Sequence, residues 1–137
     1  MTGLTGPTVL LMVALCASSP QEDNDTVEVR YPQSSIAPAR GSSVKLSCDA
    51  IYNVKLCGLL RVAWYSLNTQ SAEPTKLTEP GKYFTTVNET EHNVRRRQVV
   101  TEIFDLMPKD DGQYQCTAEC ETGPTAMGHY ISITVRG

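Results

Sequence analysis

Apolar residues in this chain recur at every second position over short stretches, and turn-forming residues separate the stretches. Val27, Val29 and Tyr31 alternate with polar and charged residues until Pro32, which reads as a first strand interrupted at a sheet edge and continued by residues 34–38. Arg40-Gly41-Ser42-Ser43 is a turn, after which Val44, Leu46 and Cys48 fall on one face. Val62 and Trp64 point to one side of a further strand, so Arg61, Ala63 and Tyr65 occupy its opposite side. Residues 68–74 read as a polar turn, Lys76 and Leu77 as a short edge strand, and Glu79-Pro80-Gly81 as another turn. Residues 82–87 can form a strand. Val99, Thr101 and Ile103, with Leu106 at the exit, supply the inward face of the next one, and residues 130–135 alternate in a last strand. Alternation carried back from Trp64 does not turn Cys57 inward, so Cys57 is expected in an irregular loop. The pattern predicts an all-β chain of short strands.

At 137 residues and 15.0 kDa there is room for one domain. A net charge of -3 and a pI ≈ 5.3 give no general attraction to phosphate backbones, so the expected partner is protein and not nucleic acid. The apolar run from Val9 to Leu15, followed by Ala17, Ser18 and Ser19, reads as a secretory signal peptide over residues 1–19. It is far short of the roughly 20 apolar residues that span a bilayer. Residues 20–137 then form the single mature domain. Export removes Cys16 and leaves Cys48, Cys57, Cys116 and Cys120. An even number in an oxidising compartment implies two disulfides, for which three connectivities exist. Neither short cysteine pair has C-x-x-C spacing, so zinc fits poorly and no cofactor is expected. The only histidines, His92 and His129, lie near no obvious nucleophile with a carboxylate orienter, and no Gly-rich phosphate loop is present. Catalysis is not expected.

Three stretches carry a family resemblance: Val44-Lys45-Leu46-Ser47-Cys48, Arg61-Val62-Ala63-Trp64-Tyr65 and Asp110-Asp111-Gly112-Gln113-Tyr114-Gln115-Cys116. In this order they resemble a variable-type immunoglobulin domain of a leukocyte surface receptor, a two-sheet β-sandwich with Greek-key topology. The resemblance implies a disulfide from Cys48 on strand B to Cys116 on strand F, with Trp64 of strand C packed against it. Cys57 is left to pair with Cys120. It further implies a tyrosine corner at Tyr114, a tight turn at Gly112 and an ion pair from Lys82 to Asp110. With its additional cysteines the chain is most similar to the B- and T-lymphocyte attenuator and CD28-type co-signalling receptors. These bind protein ligands at the cell exterior. Strand G departs from antigen receptors, having Gly128-His129-Tyr130-Ile131 where they carry Phe/Trp-Gly-x-Gly.

The outer side of strand C, with Arg61, Ala63 and Tyr65, and the loop at residues 119–127, with Glu119 and Glu121, are the expected ligand contacts. A Cys57–Cys120 bridge would tie two loops at one end of the sandwich and lower the ordering cost of binding. Asn24-Asp25-Thr26 and Asn88-Glu89-Thr90 are acceptors for N-glycosylation, the second expected at the D–E turn. Arg95-Arg96-Arg97 has two readings. It solvates the same turn, the reading favoured because three adjacent strand residues cannot all face one side, or it recognises a sulfated glycan. No apolar span or signalling tail follows strand G, so the chain reads as secreted as written, or as the external domain of a longer receptor. A co-signalling receptor domain is thus the leading expectation. The alternatives are a cell-adhesion domain and a soluble decoy.

Overall fold

A computed structural model of the protein describes residues 26–67, 73–91 and 94–137. The expected signal peptide, Cys16, Asn24, most of the turn at 68–74 and His92 lie outside the described residues. The protein is an all-β sandwich of two sheets. The first has the order β1 (Val27–Arg30), β3 (Val44–Tyr52), β7 (Arg95–Ile103), β6 (Tyr83–Thr90), and is antiparallel throughout. The second has the order β2 (Ser35–Ile36), β10 (Ile131–Ile133), β8 (Gly112–Cys120), β4 (Leu60–Ser66), β5 (Thr75–Lys76), and β9 (Thr125–Met127) also pairs with β8.

The central strands show why the alternation works. β3 and β8 are both nine residues long, and in each every second residue from the third onward is buried. These buried residues are the facing sides of two sheets, and they include Cys48 and Cys116 at the midpoints, joined by a disulfide across a Cα–Cα distance of 6.4 Å. Trp64 is paired with Cys116 across β4 and β8 and is 1% exposed. Its indole N–H donates to the Val99 carbonyl of the opposite sheet at 3.2 Å, which satisfies the one polar atom that its burial would otherwise strand.

Behind β8 the chain is pinned by Asp110. The Tyr114 hydroxyl donates to the Asp110 carbonyl at 2.6 Å, and burial pushes the Tyr114 phenol above its ordinary range. The Asp110 carboxylate accepts from Lys82 Nζ at 2.7 Å and from the Met107 amide at 2.9 Å. Lys82 Nζ also donates to the Phe104 carbonyl at 2.9 Å. A carboxylate this buried is tolerated because both a cation and an amide meet it.

Several boundaries differ from those the pattern predicts. β6 runs to Thr90 and β7 begins at Arg95, so Asn88 and the three arginines lie in strands and not in the turn between them. The expected loop at 119–127 is mostly strand, leaving only residues 121–124 to connect β8 to β9. Cys57 lies in a single helical turn, α1 (Val54–Cys57), which turns it inward where strand alternation could not.

The last strand expected at residues 130–135 is the shorter β10, and Gly128, His129 and Tyr130 divide it from β9, which lies within the expected loop. Tyr31 accounts for the division. The chain leaves the first sheet after β1 and joins the second through β2, which pairs parallel with β10. Tyr31 sits at this crossing and inserts its ring between the sheets, with its centroid 5.0 Å from that of Trp64 and 4.6 Å from that of His129. Its hydroxyl donates to the His129 carbonyl and accepts from the Cys116 amide at 3.4 Å. A Cβ on Gly128 would overlap the Tyr31 ring outright, so only glycine fits beside the inserted side chain. Gly128→Ala is therefore expected to lower stability by about 1–3 kcal/mol in urea unfolding. Combined with Tyr31→Ala, its further cost should fall by about 1 kcal/mol or more, because the ring it strikes is gone. Additive losses would contradict this account.

Candidate functional site

At the end of the sandwich where β3 meets β4 and β8 meets β9, two connections are fastened to each other. The Asn53 side chain starts α1 by accepting from the Lys55 amide at 3.0 Å and the Leu56 amide at 3.2 Å. Gly58, at φ +73°, ends the turn. Cys57 is thereby held over β8 and joined to Cys120 by the second disulfide, with a Cα–Cα distance of 4.8 Å. Hydrogen bonds extend the bridge on both sides. The Glu121 amide donates to the Leu59 carbonyl at 2.8 Å, and the Leu59 amide donates to Glu121 Oε1 at 3.3 Å. The Thr122 hydroxyl donates to the Leu56 carbonyl at 2.7 Å. A Cβ on Gly58 would come within 2.7 Å of Glu121 Oε1, so glycine there serves both the backbone angle and the close approach of the second loop.

The result is a platform in which the amides of residues 55–59 and 121–123 are hydrogen-bonded while two apolar side chains are turned out. Leu56 is 52% and Leu59 73% exposed, while Cys57 and Leu60 between and beside them are buried. Sequence reasoning placed the disulfide here but not the two leucines. Their signal was a run of apolar residues, Leu56, Leu59 and Leu60, interrupted by a cysteine and a glycine, which alternation does not resolve.

The outer side of the second sheet adjoins this platform. Arg61 is opposite Glu119, Ala63 opposite Thr117 and Tyr65 opposite Gln115, so these residues form one surface across β4 and β8. Arg61 and Glu119 make a loose, exposed ion pair at 3.6 Å, worth little to stability. A depression of ≈ 330 Å³ runs between Arg61, Tyr65, Lys76 and Thr117. Met127, opposite Thr117 on β9, is 64% exposed. Glu121 belongs to the platform instead, its carboxylate turned back onto the Leu59 amide.

The three arginines divide by strand alternation. Arg96 points outward to Asp49 at 2.6 Å, whereas Arg95 and Arg97 point inward to Glu89, at 3.5 and 2.6 Å. Arg97 also donates to the Leu60 carbonyl, and its guanidinium lies 5.6 Å from the centroid of the Tyr52 ring. The Tyr52 hydroxyl donates to Glu89 Oε2 at 2.6 Å. This cluster ties β6, β7 and β3 to the start of β4, directly below the platform. All three guanidinium groups are occupied by carboxylates of the chain itself.

His129 donates from Nε2 to the Gln33 carbonyl at 2.5 Å and packs on Tyr31, which makes it part of the chain crossing. The four described cysteines are all in disulfides and carry no thiolate. Among the described residues no group of His, Cys, Asp or Glu could hold a metal ion.

Burial alone would push the Glu89 carboxyl up, but hydrogen bonds from Tyr52 and Arg97 and the charges of Arg97 and Arg95 outweigh it and hold the group below the ordinary carboxylate range. A carboxyl depressed in the fold adds stability above its unfolded-state value, and that contribution is lost as pH falls through the folded-state value. Wild type is thus expected to exceed Glu89→Gln in urea unfolding at neutral pH, with the gap closing in acid. An unchanged gap in strong acid would contradict the role given to the carboxylate.

No protein-family model matches the chain, and no curated protein matches its sequence.

Proposed function

We propose that this chain is a variable-type immunoglobulin domain that works at the cell exterior as a protein-recognition module, of the kind used by co-signalling receptors of leukocytes. The strand orders β1-β3-β7-β6 and β2-β10-β8-β4-β5 correspond to A-B-E-D and A′-G-F-C-C′ in such a domain, and Trp64, Asp110 and Tyr114 stand at the positions that the family uses for its core. Two disulfides suit an oxidising exterior compartment.

One observation carries the recognition role. The platform from α1 to residues 121–124 is cross-linked and hydrogen-bonded before any partner arrives, yet it presents Leu56 and Leu59 to water. Apolar side chains held out by a rigid backbone contribute nothing to the fold and favour association, because the ordering cost is already met. The adjoining surface of Arg61, Ala63, Tyr65 and Glu119 supplies a polar and aromatic flank, in which Arg61 and Tyr65 are of the residue types that interfaces favour.

The test is staining of leukocytes by the tetramerised domain, before and after surface proteolysis. Protease-sensitive staining is expected. Leu59→Asp should weaken it by about 30-fold, the equivalent of roughly 2 kcal/mol at an interface centre. Tyr65→Ala should weaken it less, and Lys45→Ala on the other sheet should leave it unchanged, with melting temperatures alike. Staining indifferent to both Leu59→Asp and Tyr65→Ala would overturn the proposal.

A further inference from the structure

Among the described residues five strands, β1, β2, β5, β6 and β9, have one side without a partner strand, and all but β6 are guarded against pairing with another chain, β9 by having only three residues and following Pro124. β1 is four residues long, carries Glu28 and Arg30, and is followed by Pro32. β2 has two residues and is followed by Pro38. β5 has two residues, includes Lys76 and follows Pro74. Shortness, charge and proline are the ordinary means by which an edge is made unusable.

β6 has none of them. It is eight residues long, Tyr83-Phe84-Thr85-Thr86-Val87-Asn88-Glu89-Thr90, rich in aromatic and β-branched residues, without lysine, arginine or proline. Its only charge, Glu89, is turned inward and spent on Arg97 and Tyr52. Phe84 and Val87 are 58% and 60% exposed. One side of β6 pairs with β7, and among the described residues no strand pairs with the other. A second copy of the same strand is the natural partner for such an edge, since antiparallel pairing about a two-fold axis makes a self-complementary contact.

The strand carries one further feature, the acceptor sequence Asn88-Glu89-Thr90. Asn88 is exposed and lies on the outer side of the sheet, opposite in direction to Glu89, and Thr90 is exposed as well. We propose that Asn88 bears an N-linked glycan whose task is to keep the β6 edge from pairing with a second copy of this chain. A branched, hydrated oligosaccharide on the outermost strand occupies the solvent into which an incoming strand would move. It replaces the charge or proline found at the other edges. Of the preceding proposal this one requires only export, not the ligand surface.

The experiment takes the secreted protein from a eukaryotic host. Peptide mass spectrometry is expected to find glycan on Asn88. In analytical ultracentrifugation, the glycosylated protein stays monomeric from micromolar to sub-millimolar concentration. Asn88→Gln and Thr90→Ala, which destroy the acceptor at different residues, should shift towards dimer and larger species over that range. Adding Thr86→Lys, a charge on the same exposed edge, should restore the monomer. Should either variant fail to be secreted, folded wild type trimmed to a single N-acetylglucosamine takes its place and is expected to associate. An unoccupied Asn88 in secreted, disulfide-bonded protein overturns the proposal. So does a trimmed or unglycosylated protein that stays monomeric, or association that survives Thr86→Lys.

Discussion

Two sheets that each present one apolar side gain stability only by covering one another, and the Cys48–Cys116 disulfide with Trp64 beside it holds them in that relation. The bridge spans a sequence separation of 68, which in the chain-entropy model corresponds to about 4 kcal/mol of stabilisation. Around it lie Leu46, Val99, Tyr114 and Ile131, all essentially without solvent contact. Because β3 and β8 are matched in length and burial pattern, fixing their midpoints also sets which residues of β4 and β7 meet inside.

A second layer of core repeats the arrangement towards the platform. Ala50, Tyr52, Cys57, Leu60, Ala118 and Cys120 form its buried cluster, again with a disulfide at the centre. The residues here are smaller and the space is partly closed by the paired charges of Glu89 and Arg97. Salt-bridged side chains at the mouth of a sandwich keep water from the core while anchoring the backbone at Leu60. The rigidity of the platform thus starts two strands away from it, in a run of arginines that at first reads as a surface feature.

The chain crossing at Tyr31 shows a different use of the interior. One aromatic side chain fills the gap opened when the first strand changes sheets, and the last strand breaks to admit it. The two ends of the described chain are thereby locked to the middle: β1 to β3, β2 to β10, and Tyr31 to both His129 and Cys116. Edge protection follows from the same topology. The crossing shortens β1 and β2 to a few residues each, whereas β6, with no crossing to interrupt it, runs long.

Much of the fold was legible in the sequence because a strand buried on one side must alternate, and Val44, Leu46, Cys48 or Tyr114, Cys116 do so without exception. Trp64 and the Asp110 to Cys116 segment told which strands face each other, and the resemblance they carry implied the disulfide pairing. Of the candidate site, Arg61, Ala63 and Tyr65 could be placed on one surface by alternation alone, whereas Glu119, expected in a loop, joined them only through the pairing of β4 with β8. Leu56 and Leu59 could not, since a single helical turn between strands has too few residues to leave a period. The direction of each arginine in the run from Arg95 to Arg97, the division of the last strand by Tyr31, and the unguarded length of β6 were also beyond the sequence. What Arg97 and Tyr31 meet depends on residues far apart along the chain coming into contact, Arg97 with Leu60 at 37 positions and Tyr31 with His129 at 98. Local pattern records which way a side chain points relative to its own strand, and only the packed structure decides what it meets there.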